Sequence, residues 1–393
     1  MNMNFAAAAV FWASIAALVY TYAGYPLLVW IVSRLRPQPV MRAEFLRPVT
    51  IIITAYNEER HLRAKLENTL NLDYPPHLVE IIVASDCSTD RTDQIAGEYS
   101  SGGVKLMRQS QRLGKTAAQN AAVKQAAGEI IVFSDATSAY APDVLRAIVP
   151  NFADRSVGCV AGQLVYDASD SSIGRGAQSY WGYETFLRQH ESRACSLIGA
   201  PGCLYAVRKS AYVPLYDEAC SDFIIATMMV QQGLRAIYEP DAVCTEETNR
   251  RGHDEFWMRV RIIAQTFTDL WRNRAMMNPL RSGFYALELL SHKVMRYAVP
   301  VFLLMTFASS LALAFQARIY LAATMVQTVF YISAAIGWAS EQTGARHRLL
   351  AWPRYFLLAN IAAVVAFHKF INGHRYAHWE PVRESAQPVL TKP

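Results

Sequence analysis

Residues 5–33 read FAAAAVFWASIAALVYTYAGYPLLVWIVS and carry no charge. A helix rises ~1.5 Å per residue, so about 20 such residues already cross the ~30 Å hydrocarbon core of a bilayer. Part of this chain must therefore meet lipid. A cleaved leader needs a basic start and a shorter apolar core. No basic residue precedes this run, so a retained anchor is expected over 1–36. Arg34, Arg36 and Arg42 follow directly. The positive-inside bias then places the next residues in the cytoplasm, at an inner or plasma membrane, with the N-terminus outside. Apolar stretches at about 297–315, 319–338 and 353–371 predict a second membrane region over 294–372. The first two are close enough to form a tight hairpin. The loop EQTGARHRLLAWPR and the tail over 373–393 are both basic. Charge leaves the last apolar stretch open between a crossing and a re-entrant or interfacial segment.

Residues 44–250 follow a different pattern. Apolar runs of strand length recur at 49–54, 79–84, 104–107 and 129–134, with helical stretches at 57–70, 89–99, 113–127 and 142–152. Strands alternating with helices predict an α/β domain built on a parallel, doubly wound sheet. Ligands of such sheets bind beyond the carboxyl ends of the strands. Residues 251–293 contain EFWMRVRIIAQTFTDLWRNR, which reads as an interfacial amphipathic helix with Arg259, Arg261, Arg272 and Arg274 available to lipid head groups. The net charge of +6 is spread along the chain, which suits an anionic membrane surface and phosphate-bearing ligands, not nucleic acid. The six cysteines form no C-x-x-C pair, so neither a zinc site nor a disulfide framework is indicated.

The strand ends are acidic. The first run ends in Ala55-Tyr56-Asn57-Glu58, the second at Asp86 and the fourth at Asp135. Any one of these residues would serve as a helix cap. Together they put carboxylates along one sheet edge. Glu58 and Asp86 suit hydrogen bonds from ribose hydroxyls or a base edge, and Asp135 suits a hard divalent cation. Between the third and fourth runs lies RLGK. Gly114 allows close backbone approach, and Lys115 puts a compact cation at a helix start that already favours anions. No P-loop, G-x-G-x-x-G, G-x-S-x-G or H-E-x-x-H motif is present.

The order TAYNE, SDCSTD, RLGK, SDA, GAPGCLYAVRKS, then SDFIIATMMVQQGLRAIYEPDA, resembles membrane-bound family-2 inverting glycosyltransferases, a group similar in layout to hyaluronan, chitin and cellulose synthases. The resemblance covers about residues 48–250. It implies a GT-A fold, a Rossmann-like mixed sheet, and a nucleotide-sugar donor, most often a UDP-sugar. It further implies that Ala55, Tyr56, Glu58, Asp86, Arg112, Lys115 and Asp135 bind nucleotide. Asp135, aided by Mg²⁺ or Mn²⁺, stands at the first position of the D-x-D metal motif, whose second aspartate is Thr137 here. Gly199, Ala200, Pro201 and Gly202 match the acceptor-side segment. Asp222 matches the carboxylate that takes the proton from the acceptor hydroxyl, with Ser221 where the relatives carry an acid. The Q-x-x-R-W motif of processive relatives is incomplete: Arg261 matches, while Met258 and Ile262 replace the glutamine and tryptophan.

These readings predict sugar transfer to a growing polysaccharide or a lipid-linked glycan, with export or assembly subunits as further partners. The incomplete motif favours a single transfer onto a polyprenyl phosphate. A non-catalytic nucleotide-sugar-binding subunit is the alternative of a different class.

Overall fold

The structure, a computed structural model, describes residues 3–167, 172–247, 252–342 and 348–378. Helix α1 (Met3–Val19) runs through a π-helical turn (Tyr20–Gly24) into α2 (Tyr25–Leu35). The α/β domain then follows as β1 (Val49–Ala55), α3 (Leu62–Leu70), β2 (Val79–Ser85), α4 (Thr92–Glu98), β3 (Val104–Arg108), α5 (Lys115–Gln125), β4 (Ile130–Asp135), β5 (Ala139–Tyr140), α6 (Val144–Ile148), β6 (Val157–Asp167), α7 (Ser172–Ala194), β7 (Leu204–Arg208), α8 (Ser221–Gln231) and β8 (Arg235–Glu247). The chain returns to the membrane region through α9 (Gly252–Arg272), α10 (Pro279–Ser282), α11 (Phe284–Leu289), α12 (Arg296–Ala312), α13 (Arg318–Gln342) and α14 (Arg348–Ile371).

The four apolar runs of the sequence are β1 to β4. Ile51, Ile52 and Ile53 are fully buried, because β1 is central and covered on both faces. The helices begin later than their apolar patterns suggest: α3 at Leu62, α4 at Thr92 and α5 at Lys115. The residues so released form loops beyond the strand ends. Asn57 and Cys87 sit there at φ +56° and +59°, in the left-handed region.

The sheet is mixed, with order β3-β2-β1-β4-β7-β6-β8-β5. Its first four strands are parallel, as expected. Beyond β4 the sheet departs from the parallel reading of the strand pattern and takes the mixed form that the family resemblance implies: β7 runs antiparallel to both β4 and β6, and β8 rejoins parallel to β6. The reversal has a local cause. A strand that follows a loop lying across the sheet's carboxyl edge, as GAPGC does before β7, has to run back down the sheet.

Among the described residues, four helices are long and apolar enough to cross a membrane: Asn4–Leu35, Phe284–Ala312, Arg318–Ser340 and Leu349–Ile371. The last packs on α9 as well as on α13. Ala362, Ala363 and Ala366 of α14 pack on Val260, Ile263 and Ala264 of α9, where small residues let the two helices approach closely. Just past α14 the chain is back on the α/β domain: Gln265 Nε2 donates to the Tyr376 carbonyl at 2.7 Å, and His378 Nε2 donates to the Arg112 carbonyl at 3.0 Å. If α12 and α13 each cross once, α14 both begins and ends on the domain's side. That arrangement fits an interfacial helix. The basic loop before α14 lies largely outside the described residues.

Two of the four arginines named in the α9 stretch form ion pairs within the protein. Arg259 Nε pairs with Glu255 at 2.8 Å, and Arg272 pairs with Glu218 at 3.5 Å and stacks on Tyr216. Arg274 stacks on Trp271.

Candidate active site

The register of the parallel strands aligns the tips of the sheet. Ala55 pairs with Ser85, and Thr54 pairs with Asp135. Asp86 follows β2 directly and is fully buried. Its two carboxylate oxygens accept from the backbone N–H groups of Leu113 (2.8 Å) and Gly114 (2.9 Å). Asp86 therefore shapes the RLGK turn. Gly114 adopts φ +100°, and a Cβ at this position would collide with the Ala377 carbonyl. Only glycine meets both conditions. Beside the turn, the Arg112 guanidinium stacks 3.8 Å from the Tyr56 ring centroid, giving a flat π surface next to the β1 corner.

Lys115, the first residue of α5, is the hub. Its ammonium group pairs with Asp135 Oδ1. Burial works against its charge, but Asp135 and Asp222 hold the amine above its usual range, with Glu246 adding to them. Asp222 stands in the first turn of α8 and is only partly buried. Its Oδ1 accepts from Phe223 N (3.0 Å) and the Cys220 thiol (3.1 Å). Its Oδ2 faces Gly202, where an added Cβ would lie 2.9 Å from that oxygen and 3.5 Å from Lys115 Nζ. The Gly199–Gly202 segment docks on the same helix start, with Ala200 N donating to the Asp222 carbonyl at 2.8 Å. Arg261 completes this side. Burial lowers its pKa, opposed by nearby Cys220, Asp222 and Asp135.

Most residues singled out in the sequence are thus brought together, from Tyr56 and Arg112 through Asp86 and Gly114 to Lys115, Asp135 and Asp222. Glu58 is the exception. It is buried at the approach to α3, and its Oε2 lies 2.9 Å from His61 Nδ1. In this state its carboxylate orders its own loop.

Sequence reasoning missed two carboxyl-edge residues. Glu246, near the end of β8, accepts from Thr137 Oγ1 at 3.0 Å. Burial, then Asp135, raise its pKa to about 7. Lys65 of α3 is buried, with its ammonium 3.4 Å from the Tyr140 ring centroid, and burial lowers its pKa to about 7. Glu246 had a readable signal, an acidic strand tip like Asp135. It was obscured because YEPDA interrupts the strand pattern, and there the β6·β8 register shifts.

Residues 50–213 match the family model described as glycosyl transferase family 2. This chain carries a family-2 glycosyltransferase domain. A solved mannosyltransferase from Pyrobaculum calidifontis, in complex with GDP-Man and Mn²⁺, superposes with a TM-score of 0.70 at 25% identity, covering 92% of this chain and 99% of that one. The glycosyltransferase domain therefore has the GT-A fold, with candidate membrane helices on either side of it in sequence. Among curated relatives, a β-monoglucosyldiacylglycerol synthase of Nostoc sp. is 35% identical over 116 residues, 28% of this chain and 25% of that protein. A poly-β-1,6-N-acetyl-D-glucosamine synthase of Staphylococcus aureus is 24% identical over 247 residues, 61% and 56% of the two chains. This chain thus spans from a quarter to just over half the length of these relatives.

Proposed function

We propose that this glycosyltransferase moves a sugar, with inversion, from a nucleoside-diphosphate sugar to an acceptor hydroxyl at the membrane surface. A UDP-sugar is the expected donor, and the GDP-Man in the related mannosyltransferase makes GDP-sugars the first alternative. The observation that carries the reading is Lys115, whose single ammonium group binds Asp135 from β4 and lies beside Asp222 from α8. It joins a cation-binding carboxylate to a proton-accepting one.

The roles follow from position. Tyr56 and Arg112 offer a stacking surface for the nucleoside, next to Ala55. Asp86 fixes the Gly114 turn, so that Lys115 and the start of α5 meet the diphosphate, and Glu58 keeps the β1 corner in place. Asp222 accepts the proton of the attacking hydroxyl through Oδ2, the oxygen that faces Gly202. The cysteine thiol and the backbone N–H on Oδ1 hold this carboxylate in one orientation. Gly199 to Gly202 leave space for the acceptor, and Arg261 offsets negative charge nearby. Asp135 offers the oxygen chemistry that Mg²⁺ or Mn²⁺ prefers, and the related mannosyltransferase holds Mn²⁺. When bound, such an ion offsets charge on the departing diphosphate.

One observation favours a lipid-linked acceptor that receives a single sugar. Lys293, in the π-helical turn Leu290–Met295 within the span Phe284–Ala312, lies 5.4 Å from the ring of Phe223, the residue after Asp222. A membrane-side cation one residue from the proposed base suits a lipid phosphate. Met258 and Ile262 in place of the processive motif agree with it. Purified protein in nanodiscs, given UDP- and GDP-sugars with polyprenyl phosphate or oligosaccharide, tests both readings. One added sugar on lipid supports single transfer, and a ladder of lengths supports polymerisation. Absence of nucleotide release with every donor and acceptor would favour the non-catalytic subunit.

A further inference from the structure

The metal motif of this chain lacks its second carboxylate, because position 137 is threonine. We propose that Glu246 supplies that carboxylate from the far side of the sheet, with Thr137 positioning it. Asp135 and Glu246 together then hold the divalent cation of the donor site. The inference rests on the donor-site reading above.

Backbone topology makes the replacement possible before any side chain is considered. Strand β5 pairs antiparallel with β8, matching Ala139 with Thr245 and Tyr140 with Cys244. The Asp135–Ser138 turn leads directly into β5, so this pairing carries Glu246 to the same turn. There Thr137 Oγ1 donates to Glu246 Oε1 at 3.0 Å. The hydroxyl occupies one oxygen and orients the carboxylate, leaving Oε2 without a hydrogen bond from the described residues. In a D-x-D motif the second acid comes from the turn itself. Here the turn supplies a positioning hydroxyl, and the neighbouring strand supplies the acid.

The donor chemistry fits the ion. Asp135, Glu246 and the Thr137 hydroxyl offer oxygen only, the preference of Mg²⁺ and Mn²⁺ over softer metals. The Lys115 ammonium now neutralises Asp135. An entering diphosphate gives Lys115 another anionic partner, so the carboxylates are free to take the ion that accompanies the nucleotide. The related mannosyltransferase was solved with both a nucleotide sugar and Mn²⁺.

The test measures Mn²⁺ binding directly, from the loss of the free-ion electron paramagnetic resonance signal. It uses the full chain in nanodiscs with UDP or GDP present, and circular dichroism and melting curves confirm the fold of each variant. Wild type is expected to bind Mn²⁺. Glu246→Gln and Asp135→Asn each weaken binding by about a hundredfold, and Thr137→Val by about tenfold. The double variant Thr137→Asp with Glu246→Gln moves the acid back into the turn and recovers most of the affinity. A role of Glu246 limited to clamping the strand end predicts no such recovery. If Glu246→Gln binds Mn²⁺ as wild type does while Asp135→Asn does not, Glu246 is not a ligand and the proposal is wrong. If wild type binds nucleotide but no Mn²⁺, the metal assignment falls together with this proposal, and the donor-site reading stands. If wild type binds neither UDP nor GDP, the donor-site reading falls as well.

Discussion

On the β1–β3 side of the cleft, Asp86 gives both oxygens to main-chain N–H groups, those of Leu113 and Gly114. On the β4–β8 side, Asp135 pairs with the Lys115 ammonium and Glu246 accepts from the Thr137 hydroxyl. The two sides present the same functional group under different restraint. Main-chain partners cannot leave without unfolding a turn, so the first side is a fixed mould. Side-chain partners rotate away at modest cost, so the second side can exchange a lysine or a hydroxyl for phosphate or metal. A donor site needs both, a rigid seat for the nucleoside and a responsive one for the charge that develops at the diphosphate.

The comparison predicts unequal consequences for substitutions on the two sides. The largest effect is expected at the hub. Lys115→Met should lower turnover by about 10²–10³-fold with the melting temperature little changed, because it removes one stabilising cation from the responsive side. An equal loss of stability and activity would make Lys115 a structural residue instead. Asp86→Ala should do the reverse and act first on stability. It leaves two N–H groups without their acceptor, at about 1–3 kcal/mol each, read by denaturant unfolding of the α/β domain.

Gly114→Ala should weaken nucleotide binding by roughly tenfold, since the positive φ costs about 1–2 kcal/mol in the turn. Removing residues 374–393 in the same variant should restore part of that loss, because it removes the Ala377 carbonyl from the path of the new methyl group. No recovery would mean that the tail does not bear on the turn.

The smallest effect concerns Lys65. Its pKa near 7 in the folded protein lies below the usual lysine value near 10.4. The folded state therefore binds fewer protons than the unfolded one between about pH 7 and pH 10. Stability from this residue is full above that window and is lost as pH falls through it. Lys65→Met should be at least as stable as wild type at pH 7, with the difference narrowing towards pH 9. A destabilised variant at pH 7 would show that the ammonium is held by its neighbours.

The fixed side of the cleft is also the side that was legible in the sequence. Strands β1 to β4 announce themselves as unbroken apolar runs because both faces are buried, and the acids that follow them mark the edge. The responsive side hid its parts. Strand β8 carries Glu239, Pro240 and Asp241 at an irregularity in its pairing, so its pattern does not read as strand and Glu246 does not read as a tip. Glu58 follows β1, but the orientation of its carboxylate depends on a neighbour three residues away, His61. Arg272 looked lipid-facing because its partner, Glu218, is distant in the chain, whereas the partner of Arg259, Glu255, stands one turn away on the same helix. Charge and hydropathy leave α14 open between a crossing and an interfacial segment, and the contacts of Tyr376 and His378 place the residues after it against the α/β domain.

The central claim is that Asp222 acts as the base at a site whose donor seat is built elsewhere. Asp222→Asn tests it most directly, with sugar transfer and nucleotide affinity measured on the same nanodisc preparation. The account predicts transfer reduced by about 10²–10⁴-fold with affinity for UDP or GDP unchanged. Transfer at the wild-type rate would contradict it.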